Sequence, residues 1–547
     1  MNKKLLLPIS FVAVCFGFSC EALATTYHVG PGQTYTNISD VPLESLAAGD
    51  SVLIHYRAQP YAEKFVIGAT GTSANPVVIM GIPSGNLKPV ITGENATTRL
   101  QLDYWSEGRG VIKVGGTSTP NDNAAYVEIR DLEIRTARTG FSFTDDGGNS
   151  ASYSSNAAAV FIENGDHITI SHCDVHDCGN GIFAAWQSSD VLIEYCYIYD
   201  NGIENSIYEH NTYTESQHIT YQFNRFGRLR TNCPGNNLKD RSAGTVIRYN
   251  WIEGGNRQLD LVESDHDDLI NMPEYHETFV YNNVLLEYDG EGNSQILHYG
   301  GDNGTTSQYR KGMLYFYHNT IVSTRNGNTT LMRLSTDEEK ADVRNNVIYA
   351  DNGGSSLAMV DDDGYMELRN NWINTGWKVS HSNVSAFVTD VSGNLTGSDP
   401  MFVNMGADDY TPAPGSPLIN NAGPLAAAVS SYPPLFAFET SVPTYISRSG
   451  DLTEIGAYLF EPAVGLPPEM TNKSLLYPNP ATMAIMLVPA SPGSTVWKLF
   501  DVYGQEVREI SVNGPARIER GNLPAGMYML VPVDSRSSSL CIVFVDP

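Results

Sequence analysis

A basic segment stands out in an otherwise acidic chain. The 547 residues carry a formal net charge of −28 at pH 7, yet the segment from Arg225 to Arg257 holds seven bases and two acids. Guanidinium groups such as those of Arg241 and Arg257 form paired hydrogen bonds with carboxylates. This composition predicts a local site for an anionic ligand. The alternative is ordinary solvated charge on a strand face.

Proton abstraction beside a carboxylate is the chemistry that such a set of residues could perform. Arg241 and Arg257 would neutralise the carboxylate, so that charge can develop there in the transition state. A lysine among cations has its pKa lowered toward that of a general base, which predicts Lys239 as the base. The candidates for the acid that serves the leaving oxygen are His210, Tyr213 and His298. The alternative for Lys239 is a structural salt bridge to Asp240 or Asp260.

The spacing of alternating strands indicates how these side chains come together. Aligning successive segments on Tyr213, Leu238, Leu259 and Leu297 places four polar residues in one row: Thr214, Lys239, Asp260 and His298. Neighbouring strands lie about 4.8 Å apart, so the side chains of such a row could act together on one ligand group. We expect five residues to contact the substrate: Tyr213, Arg228, Arg230, Asn237 and Asp260.

A group of acidic residues follows the basic segment. Carboxylate oxygens are the ligands that calcium prefers, so Asp260, Glu263 and Asp265 are the candidate metal ligands and Ca²⁺ the candidate cofactor. The spacing matches no complete calcium loop, and a solvated acidic turn is the alternative. Asp260 and Glu263 could instead form the carboxylate pair of a glycoside hydrolase.

The element that must position these residues is a repeated strand unit. A small polar residue followed by β-formers recurs at intervals of 23 to 36 residues, at Cys173, Cys196, Asn224, Asn250, Asn283, Asn319, Asn346 and Asn371. Repeats of this length with short alternating strands are typical of a solenoid. An inward asparagine can bond to the backbone and to the next asparagine, forming a ladder. The sequence therefore predicts an all-β fold, a right-handed parallel β-helix over residues 25–460.

The two ends of the chain have their own signals. Lys3-Lys4, an apolar run and Ala22-Leu-Ala24 predict a secretory signal peptide over residues 1–24. A Pro-rich linker is expected at 461–470, followed by a small β-sandwich at 471–547. The apolar run is too short to span a membrane, and the net charge disfavours nucleic acid as a partner. We expect a monomer that is secreted or held at the cell surface.

The C-terminal module resembles a known family. Tyr477-Pro-Asn-Pro480, Asp501-Val-Tyr-Gly504 and Leu523-Pro-Ala-Gly526 occur in the order found in C-terminal sorting domains of the type IX secretion system. The resemblance covers essentially the whole module, although the usual basic residue at the extreme end is missing. It implies that the secretion machinery is a partner of this chain. A carbohydrate-binding sandwich is the alternative.

The basic segment also resembles a family. Gly235-Asn-Asn-Leu-Lys239-Asp-Arg241 and the later Arg248-Tyr-Asn250 are similar to the catalytic coils of lyases that degrade alginate and dermatan sulfate. The resemblance implies a β-helical polysaccharide lyase acting on an anionic polysaccharide, with Lys239 as the Brønsted base. The chain departs from the family at two places. Val262 stands where the family has its arginine, and Asn232 and Pro234 stand where it has the acidic pair that binds calcium. A C5-epimerase, a glycoside hydrolase and a non-catalytic glycan-binding surface protein are the alternatives.

Overall fold

The computed structural model describes residues 24–439, 444–447 and 453–460, together with the strands and some turns between 475 and 544. It divides into two compact units, Met1–Phe460 and Glu461–Pro547. Residues 1–23 of the expected signal peptide and the expected linker at 461–470 lie outside the described residues. Within the described part of the chain, no helix has the length and apolar character needed to cross a membrane.

Three long sheets form the first unit, and the chain visits them in turn. The first sheet contains Thr26–Val29, Ser51–His55, Val77–Ile82, Ala124–Arg130, Gly165–Ser171, Ser189–Glu194, Gln217–Gln222, Ala243–Arg248, Glu277–Tyr281, Gly312–Tyr317, Glu339–Arg344, Tyr365–Arg369 and Phe387–Ser392. The second contains Val90–Thr92, Glu133–Arg135, Asp174–His176, Tyr197–Tyr199, Arg225–Phe226, Trp251–Glu253, Val284–Glu287, Thr320–Ser323, Val347–Ala350, Trp372–Asn374 and Leu395–Gly397. The third contains Glu63–Ile67, Ala96–Thr98, Gly110–Val114, Ser142–Thr144, Ser150–Ser152, Ala158–Ile162, Asn180–Ala184, Thr212–Thr214, Leu238–Asp240, Leu259–Leu261, Gln295–Tyr299, Thr329–Leu334 and Leu357–Asp362.

Shorter elements complete this unit. Three antiparallel pairs are Asp103–Tyr104 with Thr117–Thr119, Phe402–Asn404 with Asp409–Pro412, and Phe436–Glu439 with Thr444–Ser447. One short α-helix spans Asp267–Ile270. The 3₁₀ turns are Ile38–Asp40, Leu43–Ser45, Glu107–Arg109, Pro273–His276, Thr306–Gln308, Gly354–Ser356, Met405–Ala407 and Ala427–Val429.

Each long sheet is built almost wholly from parallel pairs, with the antiparallel hairpin Ser142–Thr144 and Ser150–Ser152 as the exception. Strands of one sheet are consecutive in space but separated in sequence by strands of the other two sheets, which is the topology of a parallel β-helix. Inward side chains form one continuous apolar core from Val29 to Ile373. Because side chains alternate along a strand, the residues between the core positions point outward.

The asparagine ladder is confirmed. The side-chain amide of Asn224 donates to Oδ1 of Asn250 over 3.0 Å, and the same contact recurs at every later step. The ladder continues one coil beyond the prediction, where Asn371 donates to Asn394 over 3.0 Å. The preceding positions, Cys173 and Cys196, are buried free thiols.

The ladder yields a stability prediction. Asn283 accepts a hydrogen bond from the backbone N–H of Asn250 and donates to Asn319. The Asn283→Ala variant leaves the buried backbone N–H of Asn250 without its acceptor, so we expect it to lower the free energy of unfolding by about 1–3 kcal/mol. Urea unfolding followed by circular dichroism measures this. The control is Asn352→Ala, whose side chain bonds at the exposed surface. Equal destabilisation of the two variants would contradict the ladder's role.

The described residues of the second unit form two antiparallel sheets. Leu475–Tyr477, Ala484–Val488 and Ala516–Glu519 form one sheet, and Ser494–Phe500, Glu506–Asn513, Gly526–Pro532 and Leu540–Phe544 form the other. Ile485 and Leu487 of the first sheet share a buried cluster with Trp497, Leu499 and Leu530 of the second. Two sheets that share one apolar core are the arrangement of a small β-sandwich.

Candidate active site

A groove of about 670 Å³ lies over the outer face of the third sheet. Tyr213 of the strand Thr212–Thr214 and Lys239 of the strand Leu238–Asp240 supply its floor, and Arg257 joins them from the next coil. Its lining contains several of the predicted residues, namely His210, Tyr213, Lys239, Arg241 and Arg257. Loop residues complete the lining: Ser155, Asn156, Ile207, Tyr208, Glu209, Pro234, Asn236, Asn256 and Asp302.

The strand register corrects one position of the expected row. Tyr213 pairs with Lys239, Lys239 with Asp260, and Asp260 with His298. Thr214 pairs instead with Asp240, whose side chain is fully buried. The prediction for Thr214 is wrong because the alignment matched Tyr213 to inward leucines, whereas Thr212 is the residue opposite Leu238. The outward row is therefore Tyr213, Lys239, Asp260 and His298.

Lys239 forms a buried ion pair at the floor of the groove. Its Nζ lies 2.8 Å from Oδ2 of Asp260, and 14% of its side chain is exposed. Burial alone lowers the pKa of Lys239, but the carboxylates of Asp260 and Asp302 outweigh burial and raise this pKa above its usual value. The expectation of a lowered pKa is therefore wrong, because the carboxylates outweigh the neighbouring cations, and the alternative of a salt bridge to Asp260 is the one that the structure shows. At neutral pH the side chain is an ammonium ion.

Asp260 is the centre of a hydrogen-bonded network beneath the groove. Its Oδ2 also accepts a hydrogen bond from Asn236 over 2.7 Å, and its Oδ1 lies 3.0 Å from Nδ1 of His298 and 3.7 Å from Arg257. Burial opposes ionisation, but Lys239 and His298 hold the pKa of Asp260 well below its usual range. Asp260 was expected to contact the substrate. Its side chain is almost wholly inaccessible, so it positions Lys239 instead.

The predicted role of His298 as an acid is also wrong. Its side chain is fully buried, with Nδ1 beside Asp260 and Nε2 at 2.8 Å from Oγ of Ser335. Both ring nitrogens are thus occupied by protein groups. Burial lowers the pKa of His298 and its bond to Asp260 opposes this effect. His298 anchors Asp260 from below.

His210 lines the groove as a neutral imidazole. Burial and the nearby Lys239 lower its pKa to about 3. Its Nδ1 lies 2.9 Å from the backbone nitrogen of Asn236 and 3.2 Å from the carbonyl oxygen of the same residue; the N–H contact is the shorter, so we place the ring proton on Nε2. A neutral ring in this tautomer can donate a hydrogen bond to a ligand. The His210 ring is unsuited to be a base, because Nδ1 is occupied by the backbone of Asn236. It is also unsuited to be an acid, because loss of the proton on Nε2 would form an imidazolate.

Two of the four predicted arginines reach the groove. Arg241 bonds to the half-exposed Asp265 over 2.5 Å, and its buried Nε has no hydrogen-bond partner among the described residues. Arg257 donates twice to Oε1 of Gln295, over 3.1 and 2.7 Å. Both guanidinium groups line the groove beside Lys239.

Arg228 and Arg230 are bound elsewhere. Arg228 lies over the ring of Tyr288 at 4.0 Å, and Arg230 forms a 2.6 Å ion pair with Asp177. Neither belongs to the groove lining, so the structure does not support the expected role in substrate binding for either residue.

Asn237 also differs from its expected role. It is fully buried and belongs to a second, shorter ladder, in which Asn201 donates to Asn211 and Asn211 donates to Asn237, both over 2.9 Å. Its own amide donates to the backbone carbonyls of Gly227 and Glu253. Asn237 therefore supports the bend of the coil from inside.

The residues predicted to bind calcium do not fit that ion. Asp260 is bound to Lys239, and Asp265 is bound to Arg241. Glu263 is buried, accepts the backbone N–H groups of Asp302 and Asn303, and lies 3.5 Å from Arg241. Burial raises the pKa of Glu263, against the effect of these N–H groups. Each carboxylate is already bonded to protein groups, which leaves no set of free oxygen ligands for calcium among these three residues.

Several residues of the site were not found from the sequence. Asn236 and Asp302 contribute from loops, and Ile207 and Tyr208 are exposed by 57% and 72% at the edge of the groove. Arg310 lies buried behind the floor, where it pairs with Asp240 at 2.7 Å. None of these residues is marked by a repeat or a motif in the sequence, because loop contacts and the burial of Arg310 arise only when the coils stack.

Comparison with protein-family models gives two matches. Residues 118–284 match the right handed beta helix region, and residues 475–541 match the secretion system C-terminal sorting domain. The predicted fold, a right-handed parallel β-helix followed by a small β-sandwich, is confirmed. The sorting domain marks a secreted or cell-surface protein that interacts with secretion machinery, as the sequence predicted. No curated protein matches the chain.

Solved structures with a similar fold have several different activities. An alginate lyase from Paenibacillus sp. str. FPU-7 is 11% identical, with a TM-score of 0.33 over 64% of this chain and 95% of that one. Pectate lyase Pel9A is 12% identical, with a TM-score of 0.37 over 80% and 97%. A GH136 lacto-N-biosidase from Eubacterium ramulus is 12% identical, with a TM-score of 0.42 over 68% and 67%. Similarity at this level does not distinguish between lyase and hydrolase activity.

Proposed function

We propose that the protein is a secreted lyase that cleaves a uronic-acid polysaccharide by β-elimination in this groove. The observation that carries the proposal is that Lys239, Arg241 and Arg257 line one groove together with Tyr213 on an otherwise acidic protein. Three cations on a groove suit an extended polymer that presents a carboxylate.

The first requirement of the reaction is neutralisation of that carboxylate. Abstraction of the proton at C5 places negative charge on the adjacent carboxyl group, and preorganised cations stabilise this charge most effectively in a partly buried site. Arg241 and Arg257 are only 11% and 10% exposed at their side chains. Their planar guanidinium groups are suited to bind a carboxylate with two hydrogen bonds.

The second requirement is a pair of groups that move protons. His298 is inaccessible and His210 is a neutral donor, which leaves Tyr213 and Lys239 among the predicted residues. Lys239 lies 5.9 Å from the centre of the Tyr213 ring and Arg241 lies 6.0 Å from it. Burial raises the pKa of Tyr213, whereas these two cations oppose the rise.

We assign the base to Tyr213 and the acid to Lys239. Asp260 retains the proton on the Lys239 ammonium, while Lys239 and Arg241 stabilise a Tyr213 phenolate. The phenolate accepts the C5 proton, the bond from C4 to the glycosidic oxygen breaks, and Lys239 donates a proton to that oxygen. The products are a new reducing end and a sugar with a C4–C5 double bond.

This assignment gives a sign for the pH dependence. Both Tyr213 and Lys239 have pKa values raised above their ordinary values, so both are protonated at neutral pH. The reactive form, in which Tyr213 is a phenolate and Lys239 is an ammonium ion, becomes more abundant as pH rises. We expect kcat/KM to increase about tenfold per pH unit between about pH 7 and about pH 9. Initial rates across that interval measure it, and an optimum near pH 5 would contradict the assignment.

Two other enzyme classes make different predictions. A C5-epimerase would also abstract the proton but would return one to the opposite face. A hydrolase using Asp260 and Glu263 requires accessible carboxylates, whereas both side chains are buried and bonded to protein groups.

Product analysis by NMR in deuterated water tests the proposal. A lyase yields chain ends with a double bond and no deuterium at C5. An epimerase yields unbroken chains with deuterium at an inverted C5, and a hydrolase yields saturated ends. Either of the last two results would overturn the proposed function. Binding without turnover would indicate a non-catalytic glycan-binding protein and would overturn it as well.

A further inference from the structure

A second group of polar side chains lies on the first sheet, outside the groove. Asp166 and His167 lie on the strand Gly165–Ser171, Asp190 on Ser189–Glu194, and His218 on Gln217–Gln222. These strands are consecutive neighbours, with Asp166 paired to Ser189 and Ser189 paired to Gln217. Three successive coils thus present two imidazoles and two carboxylates at one place.

The backbone explains why these side chains project together. His167, Asp190 and His218 share the left-handed conformation, with φ of 54°, 49° and 56°. Repetition of one conformation at one point of each coil directs the side chains along a common column. The ring of Tyr126, from the preceding coil, stacks on His167 with a centroid distance of 4.4 Å and restricts its rotation.

The donor atoms have the separations that a tetrahedral metal requires. Nδ1 of His167 lies 3.0 Å from Oδ2 of Asp166 and 3.8 Å from Oδ2 of Asp190. One donor atom from each of these three residues falls within 4.8 Å of the others. Ligands about 2.0–2.2 Å from a Zn²⁺ ion are separated by about 3.4 Å in a tetrahedron. The observed distances need only small adjustments.

The remaining groups complete the surroundings of such an ion. His218 Nδ1 lies 3.4 Å from Oδ1 of Asp190, which is the oxygen that does not face His167. Ser189 donates to Oδ1 of Asp166 over 2.5 Å and leaves Oδ2 free to act as a ligand. Hydrogen bonds of this kind orient ligating carboxylates and increase metal affinity. All four acidic and imidazole side chains are 44–48% exposed, so an ion has access from solvent.

We propose that Asp166, His167 and Asp190 bind a divalent transition-metal ion, with Zn²⁺ as the best fit. An imidazole ligand selects zinc, copper or nickel over calcium and magnesium, which take oxygen ligands. Water occupies the remaining coordination position, and His218 acts as a positioning residue for Asp190. The ion links consecutive coils of the helix and thereby stabilises the folded chain. This inference is independent of the reaction in the groove.

Titration of the metal-free, full-length protein with ZnCl₂ tests the site by calorimetry. The native protein is expected to bind one ion at this position, and His167→Ala is expected to lose that binding. His218→Ala should weaken binding by about 10–100-fold, the usual effect of an outer partner. The matched control is His381→Ala, because His381 contacts a backbone carbonyl of another sheet and none of these carboxylates. Equal zinc binding by the native protein and His167→Ala would overturn the proposal, as would an absence of binding in the native protein.

Thermal unfolding provides a second readout. Since a ligand that binds only the folded state stabilises it, Zn²⁺ should raise the Tm of the native protein and of His381→Ala. Asp166→Asn, which preserves side-chain shape, should show a much smaller rise at the same zinc concentration. Ca²⁺ at that concentration should not displace Zn²⁺. A Tm shift that is equal in native protein and Asp166→Asn would contradict the site even if His167→Ala fails to fold.

Discussion

The Lys239→Ala variant is expected to cleave its substrate about 10²–10⁴ times more slowly than the native protein. The substitution removes both the proton donor for the leaving oxygen and one of the three cations of the groove. Asp260 keeps His298 and Asn236 as partners, so the coil should remain folded. Initial rates with saturating substrate measure the loss, and circular dichroism checks the fold.

A matched control is Lys88→Ala. Lys88 also forms a 2.9 Å ion pair with an aspartate, Asp174, but it lies outside the groove. Its removal should leave kcat unchanged. Full activity of Lys239→Ala on any polymer that the native protein cleaves would refute the catalytic role of this groove.

The Tyr213→Phe variant is expected to lose a similar factor, about 10²–10⁴ in kcat, because it lacks only the phenolic oxygen that accepts the C5 proton. Its ring still packs against Phe183 and His210, with centroid distances of 5.1 and 5.5 Å. Substrate contacts with the ring face should therefore persist, and KM should change little. The same kinetic assay measures both parameters.

Tyr199→Phe is the corresponding control, since Tyr199 lies on the second sheet and outside the groove. It should retain native kinetics. If Tyr213→Phe raises KM but leaves kcat intact, Tyr213 serves in sugar binding and the base must be another group.

The repeat made the fold predictable from sequence. Each asparagine of the ladder occupies the same bend of its coil. The interval between successive asparagines therefore gave both the coil length and the strand direction. The prediction reached from Asn224 to Asn371 and missed Asn394, although Asn394-Leu-Thr continues the repeated phrase. The short ladder of Asn201, Asn211 and Asn237 was missed because its members are irregularly spaced.

The site was predictable only in part. The positions of Lys239, Arg241 and Arg257 on one groove follow from strand register and charge, which the sequence carries. The accessibility of Asp260, His298 and Asn237 depends on how side chains and loops fill the space above each coil, and a pattern of polar residues does not encode that. The raised pKa of Lys239 comes chiefly from Asp260, which the sequence places next to it, with a further contribution from Asp302, which a distant loop brings to the groove.

In the proposed reaction, the cationic groove eliminates across C4–C5 of a uronate. Ultraviolet absorbance of unsaturated uronate ends, followed while the full-length protein acts on a panel of uronic polymers, tests it most directly. The same polymers with their carboxyl groups reduced to alcohols are the matched control. We expect absorbance to grow with at least one intact polymer and not with its reduced form. Chain cleavage without any rise in absorbance, or equal cleavage of the reduced polymer, would contradict the account.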